Sequence, residues 1–182
     1  NGHTPIFYSI FKDYTDVSIL LLNNTREKFN YDYQDYEGNT LFHVICSYEK
    51  FNNFDIYLEN VTKNPKLFDF DQTNIDGDTV LHYILTYHDK IDIDIVKFFI
   101  KNTDLNIQNN EGVTPLHLIS KYDLWEKYHE IISTKKLYPF IMNKDNKTVF
   151  DFIVLLSRKT VDDILVKSIL NNIKQRELIE KC

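Results

Sequence analysis

The sequence predicts an all-α solenoid, a stack of short antiparallel helix pairs joined by tight turns. Three observations carry this. A six-residue motif built on Gly-x-Thr recurs at Gly2–Phe7, Gly38–His43, Gly77–His82 and Gly112–His117, with a degenerate copy at Asn146–Asp151. The motif threonines stand at 4, 40, 79, 114 and 148, at spacings of 36, 39, 35 and 34. A period of roughly 20–50 residues marks units that cannot bury an apolar face alone and must stack. Finally, all four glycines of the chain occupy the same place in the motif.

Each element follows from the motif. Glycine two residues before threonine suits a turn that needs positive φ. The threonine is then an N-cap, its hydroxyl facing the open N–H groups of the first helical turn. Pro5 and Pro115 fall at the first helical position, where a missing N–H costs nothing. His43, His82 and His117 stand three residues after the threonine and can bond back to the cap. Asp151 replaces that histidine and keeps a polar group, whereas Phe7 does not, so the first cap is expected to be weaker.

Apolar first helices are predicted over 5–12, 41–48, 80–87, 115–122 and 149–156. Amphipathic second helices follow over 16–22, 54–61, 93–100 and 124–132. A last helix from Thr160 to about Glu180 opens on the capping box Thr160-Val161-Asp162-Asp163 and carries a polar outer face, as a terminal cap requires.

Composition sets the limits. The chain has 182 residues, 43% apolar and 26% charged, which is enough for one core without disulfide or metal. We read one domain over 1–182, with repeats at 1–33, 34–72, 73–107, 108–141 and 142–182. Asn1 opens inside a motif, which points to a piece cut from a longer protein. The net charge of −6, from 21 basic and 27 acidic residues, argues against a nucleic-acid binder. Two cysteines, Cys46 and Cys182, read as a reduced intracellular protein, cytoplasmic or nuclear. The longest apolar runs, such as Phe150–Leu156, fall far below the ~18 residues of a membrane span. No membrane partner and no signal peptide are expected.

No catalytic chemistry is legible. The motif histidines recur one per unit beside a capping threonine, at a helix-packing spacing of ~10 Å, too far to share a metal. Cys46 lies in an apolar helix, which favours an inert buried thiol over a nucleophile. Phosphate-binding glycine loops, the nucleophile elbow and Cys-x-x-Cys are absent from the sequence. We expect no enzyme, no catalytic residue, no metal, no cofactor and no small-molecule substrate.

A unit of about 34 residues, with a turn, the motif and two antiparallel helices, resembles the ankyrin repeat. Gly112-Val113-Thr114-Pro115-Leu116-His117 matches that family's Gly-x-Thr-Pro-Leu-His letter for letter. Asp94–Ile100 resembles its second-helix pattern, and Leu105-Asn106-Ile107 its closing stretch. There are departures. Ile45 and Cys46, Ile84 and Leu85, and Ile119 and Ser120 stand where the family usually has small alanines. The glycine between the two helices is missing, and the connections Lys63–Thr73 and Ser133–Asn143 are long.

The resemblance implies β-hairpin-like turns set at right angles to the helices, forming a concave face on which partners commonly lie. The matching tip positions are Tyr36, Glu37 and Asn39, then Ile75, Asp76 and Asp78, then Asn110, Glu111 and Val113. One tip position is acidic three times, at Glu37, Asp76 and Glu111. The matching ends of the first helices carry Tyr48, Tyr87 and Tyr122. A tyrosine ladder above a row of carboxylates would bind a basic and apolar segment of another protein. Two plainer readings stay open: the acids are ordinary solvated turn residues, and the tyrosines fill space between repeats. Leu67, Phe68 and Phe70, or Tyr138 and Phe140, form a second candidate surface, expected to fold back on the stack. The expected function is a non-enzymatic protein–protein interaction module. The alternative is a structural stack packing on neighbouring domains of its own chain.

Overall fold

A computed structural model describes residues 4–24, 33–47, 49, 57–59 and 68–153. Among these residues the fold is all helix and turn, with one isolated antiparallel bridge, Thr73 to Thr79. The predicted terminal helix beyond Thr160 and most of the predicted helix over 54–61 lie outside the described residues. The chain divides into two compact units, Asn1–Val96 and Lys97–Cys182.

The first unit holds α1 (Pro5–Phe11), α2 (Thr15–Asn24), α3 (Leu41–Ser47) and α4 (Val80–Thr86). α1 packs on α2 and on α3, and α3 packs on α4. The core is the face the motif turns inward: Ile6, Phe7 and Ile10 from α1, Leu41, Phe42, Val44, Ile45 and Cys46 from α3, and Val80, Leu81, Ile84 and Leu85 from α4. Each such side chain, fully buried, contributes roughly 1.5–3 kcal/mol. Ser9 and Ser18 bridge α1 and α2 through their hydroxyls at 2.7 Å, with Ser9 also bonded to the Ile6 carbonyl. Burial raises the Cys46 thiol pKa, in keeping with an inert thiol.

α5 (Ile93–Asn102) spans the division between the units. The second unit continues with α6 (Pro115–Lys121), α7 (Trp125–Ile132) and α8 (Val149–Ile153), α6 packing on α8. Ser120, at one of the family's alanine positions, accepts the Trp125 indole N–H at 3.0 Å and donates to the Leu116 carbonyl. The hydroxyl therefore anchors a large ring that is 0% exposed.

The missing inter-helix glycine has a structural answer. Asp13, Glu49 and Asp123 take the left-handed conformation after α1, α3 and α6, with φ of 62°, 52° and 57°. Asp is among the few side chains that tolerate that region. Tyr14 N–H then reaches the Ser9 carbonyl, and Leu124 N–H the Ile119 carbonyl, closing Schellman turns at 2.8 and 2.9 Å.

The described part of the first long connection folds back. Phe68 stacks on Phe70 and tilts against Phe42 of α3, and Phe70 is buried. Leu67 lies outside the described residues. The second long connection behaves differently. Leu137 and Pro139 turn inward, whereas Tyr138 and Phe140 remain exposed, Phe140 resting on Phe150. A turn closed by Ile141 N–H on the Tyr138 carbonyl at 3.2 Å sets these neighbours facing opposite ways, so only half of them fold back.

Candidate protein-binding surface

The turn tips are built on a residue that precedes the motif. Asp35, Asn74, Asn109 and Asn143 each stand three positions before the glycine, or before Asn146 in the last copy. In each, Oδ1 accepts two backbone N–H groups, from the second and fourth residues onward, at 2.8–3.0 Å. The backbone closes the same ring, as where Asn74 N–H reaches the Asp78 carbonyl and Gly77 N–H returns to the Asn74 carbonyl. Gly38 and Gly112 supply φ of +73° and +72°.

Neighbouring tips are tied together. Ile75 donates its N–H to the Glu37 carbonyl at 2.9 Å, and Lys144 does the same to Glu111 at 2.9 Å. Gln34 Nε2 bonds both the Gly38 and Thr73 carbonyls, and Gln108 Nε2 both the Gly112 and Met142 carbonyls. The tips approach so closely that a Cβ on Gly38 would lie 3.0 Å from Asn74 Cα.

The histidines complete the scaffold. His43 Nδ1 accepts the Thr40 backbone N–H at 3.2 Å and its hydroxyl at 2.8 Å, while Nε2–H donates to the Asp78 carbonyl at 2.9 Å. His117 repeats this with Thr114 and the Lys147 carbonyl. His82 holds Thr79 in the same way. The threonine hydroxyl thus bonds to the histidine ring, and that of Thr114 also accepts a helix N–H, from His117 at 3.3 Å. Burial pulls the His43 pKa down to about 4, and His117 shifts in the same direction for the same first reason. With both nitrogens engaged in scaffold bonds, these two rings offer no open position to a metal. Asp151 does substitute for the histidine, accepting the Thr148 N–H and hydroxyl. In the first copy the Thr4 hydroxyl is buried and has no partner among the described residues, so Phe7 leaves that cap unmade.

On this scaffold lies an open cleft of about 200 Å³ in the first unit. Five predicted tip residues, Tyr36, Glu37, Asn39, Ile75 and Asp76, line it together with Asp35, Asn74, Val44, Ser47 and Tyr83. Its floor is a hydrogen-bonded chain. Asn39 Nδ2 donates to Glu37, and Asn74 Nδ2 donates to both Asn39 Oδ1 and the Tyr83 hydroxyl at 3.2 Å. Burial raises the Tyr83 pKa, partly offset by the Asn74 bond, and its ring stands edge-on to His43. Above this floor Tyr36 is 81% exposed and Ile75 64%.

The other predicted residues fall elsewhere. Asp78 is half-buried beside the cleft and gives its carbonyl to His43. Asn110 and Glu111 are exposed on the tip of the second unit, and Val113 is half-buried. Lys144 Nζ lies 3.4 Å from the Glu111 carboxylate. Tyr87 and Tyr122 cap the C-termini of α4 and α6, half-buried, each with a lysine ammonium over its ring, Lys90 at 5.5 Å and Lys121 at 5.3 Å. Tyr48 lies outside the described residues. Sequence reasoning missed Tyr83 and the four Asx residues. The signal was there: Asx-x-acid-(Gly/Asn)-x-Thr recurs four times, with Asp145 as a fourth acid.

No helix among the described residues is long and apolar enough to cross a membrane. A family model described as Ankyrin repeat matches residues 76–110. Over 185 residues the chain is 34% identical to ankyrin repeat protein L371 of Acanthamoeba polyphaga mimivirus, covering 92% of this chain and 24% of that protein. The chain therefore spans about a quarter of the length of that relative. Ankyrin repeats are in general protein–protein interaction modules and typically non-enzymatic. From the repeated motif, the Asx-built tips, the paired helices and these matches, the chain belongs to the ankyrin-repeat family.

Proposed function

We propose that this chain is a non-enzymatic interaction module that holds a basic and apolar segment of another protein against its turn tips and first helices, inside the cell. The observation that carries this is the cleft between the first two tips. It joins exposed apolar groups, Tyr36 and Ile75, to the carboxylates Glu37 and Asp76 on a backbone fixed by hydrogen bonds. A receptor already ordered loses little entropy on binding. In the second unit Asn110, Glu111, Val113 and Tyr122 offer further contacts, and Tyr87 does so in the first.

Peptides selected on the whole chain from a random twelve-residue phage library test this. The recovered peptides should be rich in Lys or Arg beside apolar residues. They should weaken at least tenfold against a Tyr36→Ala/Ile75→Ala variant with unchanged circular dichroism. Equal binding by the variant would sink the reading.

A second reading has its own support. Tyr14, Val17 and Leu20 on and beside α2 are 53%, 44% and 60% exposed, an apolar face suited to packing on another part of the parent protein. Concentration-dependent self-association that Leu20→Lys abolishes would favour it.

A further inference from the structure

The two tip pairs use the same backbone joint but different side chains. In the second unit, the residue that donates its N–H to the preceding tip's acid is Lys144, and its ammonium lies 3.4 Å from the Glu111 carboxylate. In the first unit the equivalent donor is Ile75, opposite Glu37. An isoleucine cannot answer a carboxylate. The cleft at this joint is lined by Asp35, Glu37 and Asp76, and no Lys or Arg lines it among the described residues. Tyr36, Ile75 and Tyr83 supply apolar walls suited to the methylenes of a long basic side chain.

Resting on the interaction reading above, we infer that the cleft between the first two tips is the receptor for one Lys or Arg side chain of an extended partner segment, taking the place that Lys144 fills internally at the other tip pair. The ammonium or guanidinium sits against Glu37 and Asp76, and its stem lies along Ile75 and Tyr36. Arg is favoured over Lys, because its planar fork can engage a carboxylate with two N–H groups and stack on a tyrosine ring.

Fluorescein-labelled nonapeptide pools, with randomised flanks and a central Arg, Lys, citrulline, Leu or Glu, test this on the whole chain by fluorescence polarisation. The Arg and Lys pools should bind at least tenfold more tightly than the citrulline, Leu and Glu pools. Ile75→Lys copies the second unit's arrangement at an exposed position and keeps the backbone joint. It should erase that preference with circular dichroism unchanged, while Lys144→Ile should leave it intact. If all pools bind alike and Tyr36→Ala still abolishes binding, the basic-residue receptor is wrong, and the interaction reading survives only as binding of an apolar segment. If Ile75→Lys keeps the full preference, the receptor lies elsewhere and the inference falls. If no pool binds, both readings fall.

Discussion

His43 donates its Nε2–H to the backbone carbonyl of Asp78, 2.9 Å away and 35 residues on in sequence. The same ring takes the Thr40 N–H on its other nitrogen. One side chain therefore starts its own helix and fastens the next repeat's turn. His43→Ala should strand the buried Thr40 N–H and loosen that turn. We expect a loss of about 3 kcal/mol, read as a fall in the urea midpoint. His43→Gln, which can still accept from the cap, should lose less.

Acid should weaken the fold through the same ring. An unfolded histidine titrates near 6.5, whereas the buried His43 ring takes a proton only at about 4. Between these values the unfolded chain binds more protons, so stability falls as pH drops from about 6.5 to 4 and is fully retained above that window. The loss from His43 alone is about 3 kcal/mol. Urea midpoints measured across this range should show the decline, and His43→Gln should flatten it.

Gly38 combines positive φ with a 3.0 Å approach to the Asn74 backbone, and Gly112 a 2.9 Å approach to Asn143. Adding a methyl group strains the turn and pushes the neighbouring tip away. Gly38→Ala and Gly112→Ala should each destabilise by about 2 kcal/mol or more in chemical denaturation.

Asn74 makes four side-chain hydrogen bonds, two to its own turn and one each to Asn39 and Tyr83. Asn74→Ala should cost about 2–4 kcal/mol and weaken peptide binding as the cleft floor comes apart. Asn74→Asp keeps the turn acceptor, as Asp35 shows, but loses both donors. It should fall between Ala and the parent in stability.

Local chemistry made much of this protein legible from its residues. The helix starts could be read because proline, threonine and histidine act within one turn, and the structure places α1, α3, α4, α6 and α8 where the motif puts them. The weak first cap followed from Phe7 alone. The left-handed turns at Asp13, Glu49 and Asp123 could not be read the same way, since neither aspartate nor glutamate demands positive φ and the chain takes it there only where one packed helix ends and reverses. Tyr83 belongs to the cleft because its ring meets His43 and its hydroxyl meets Asn74, contacts made between segments that only packing brings together. The acid positions of the tips were visible in the sequence. Whether an acid meets a lysine, as Glu111 does, or opens onto a cleft, as Glu37 does, was decided by which side chain the joined backbone sets opposite it.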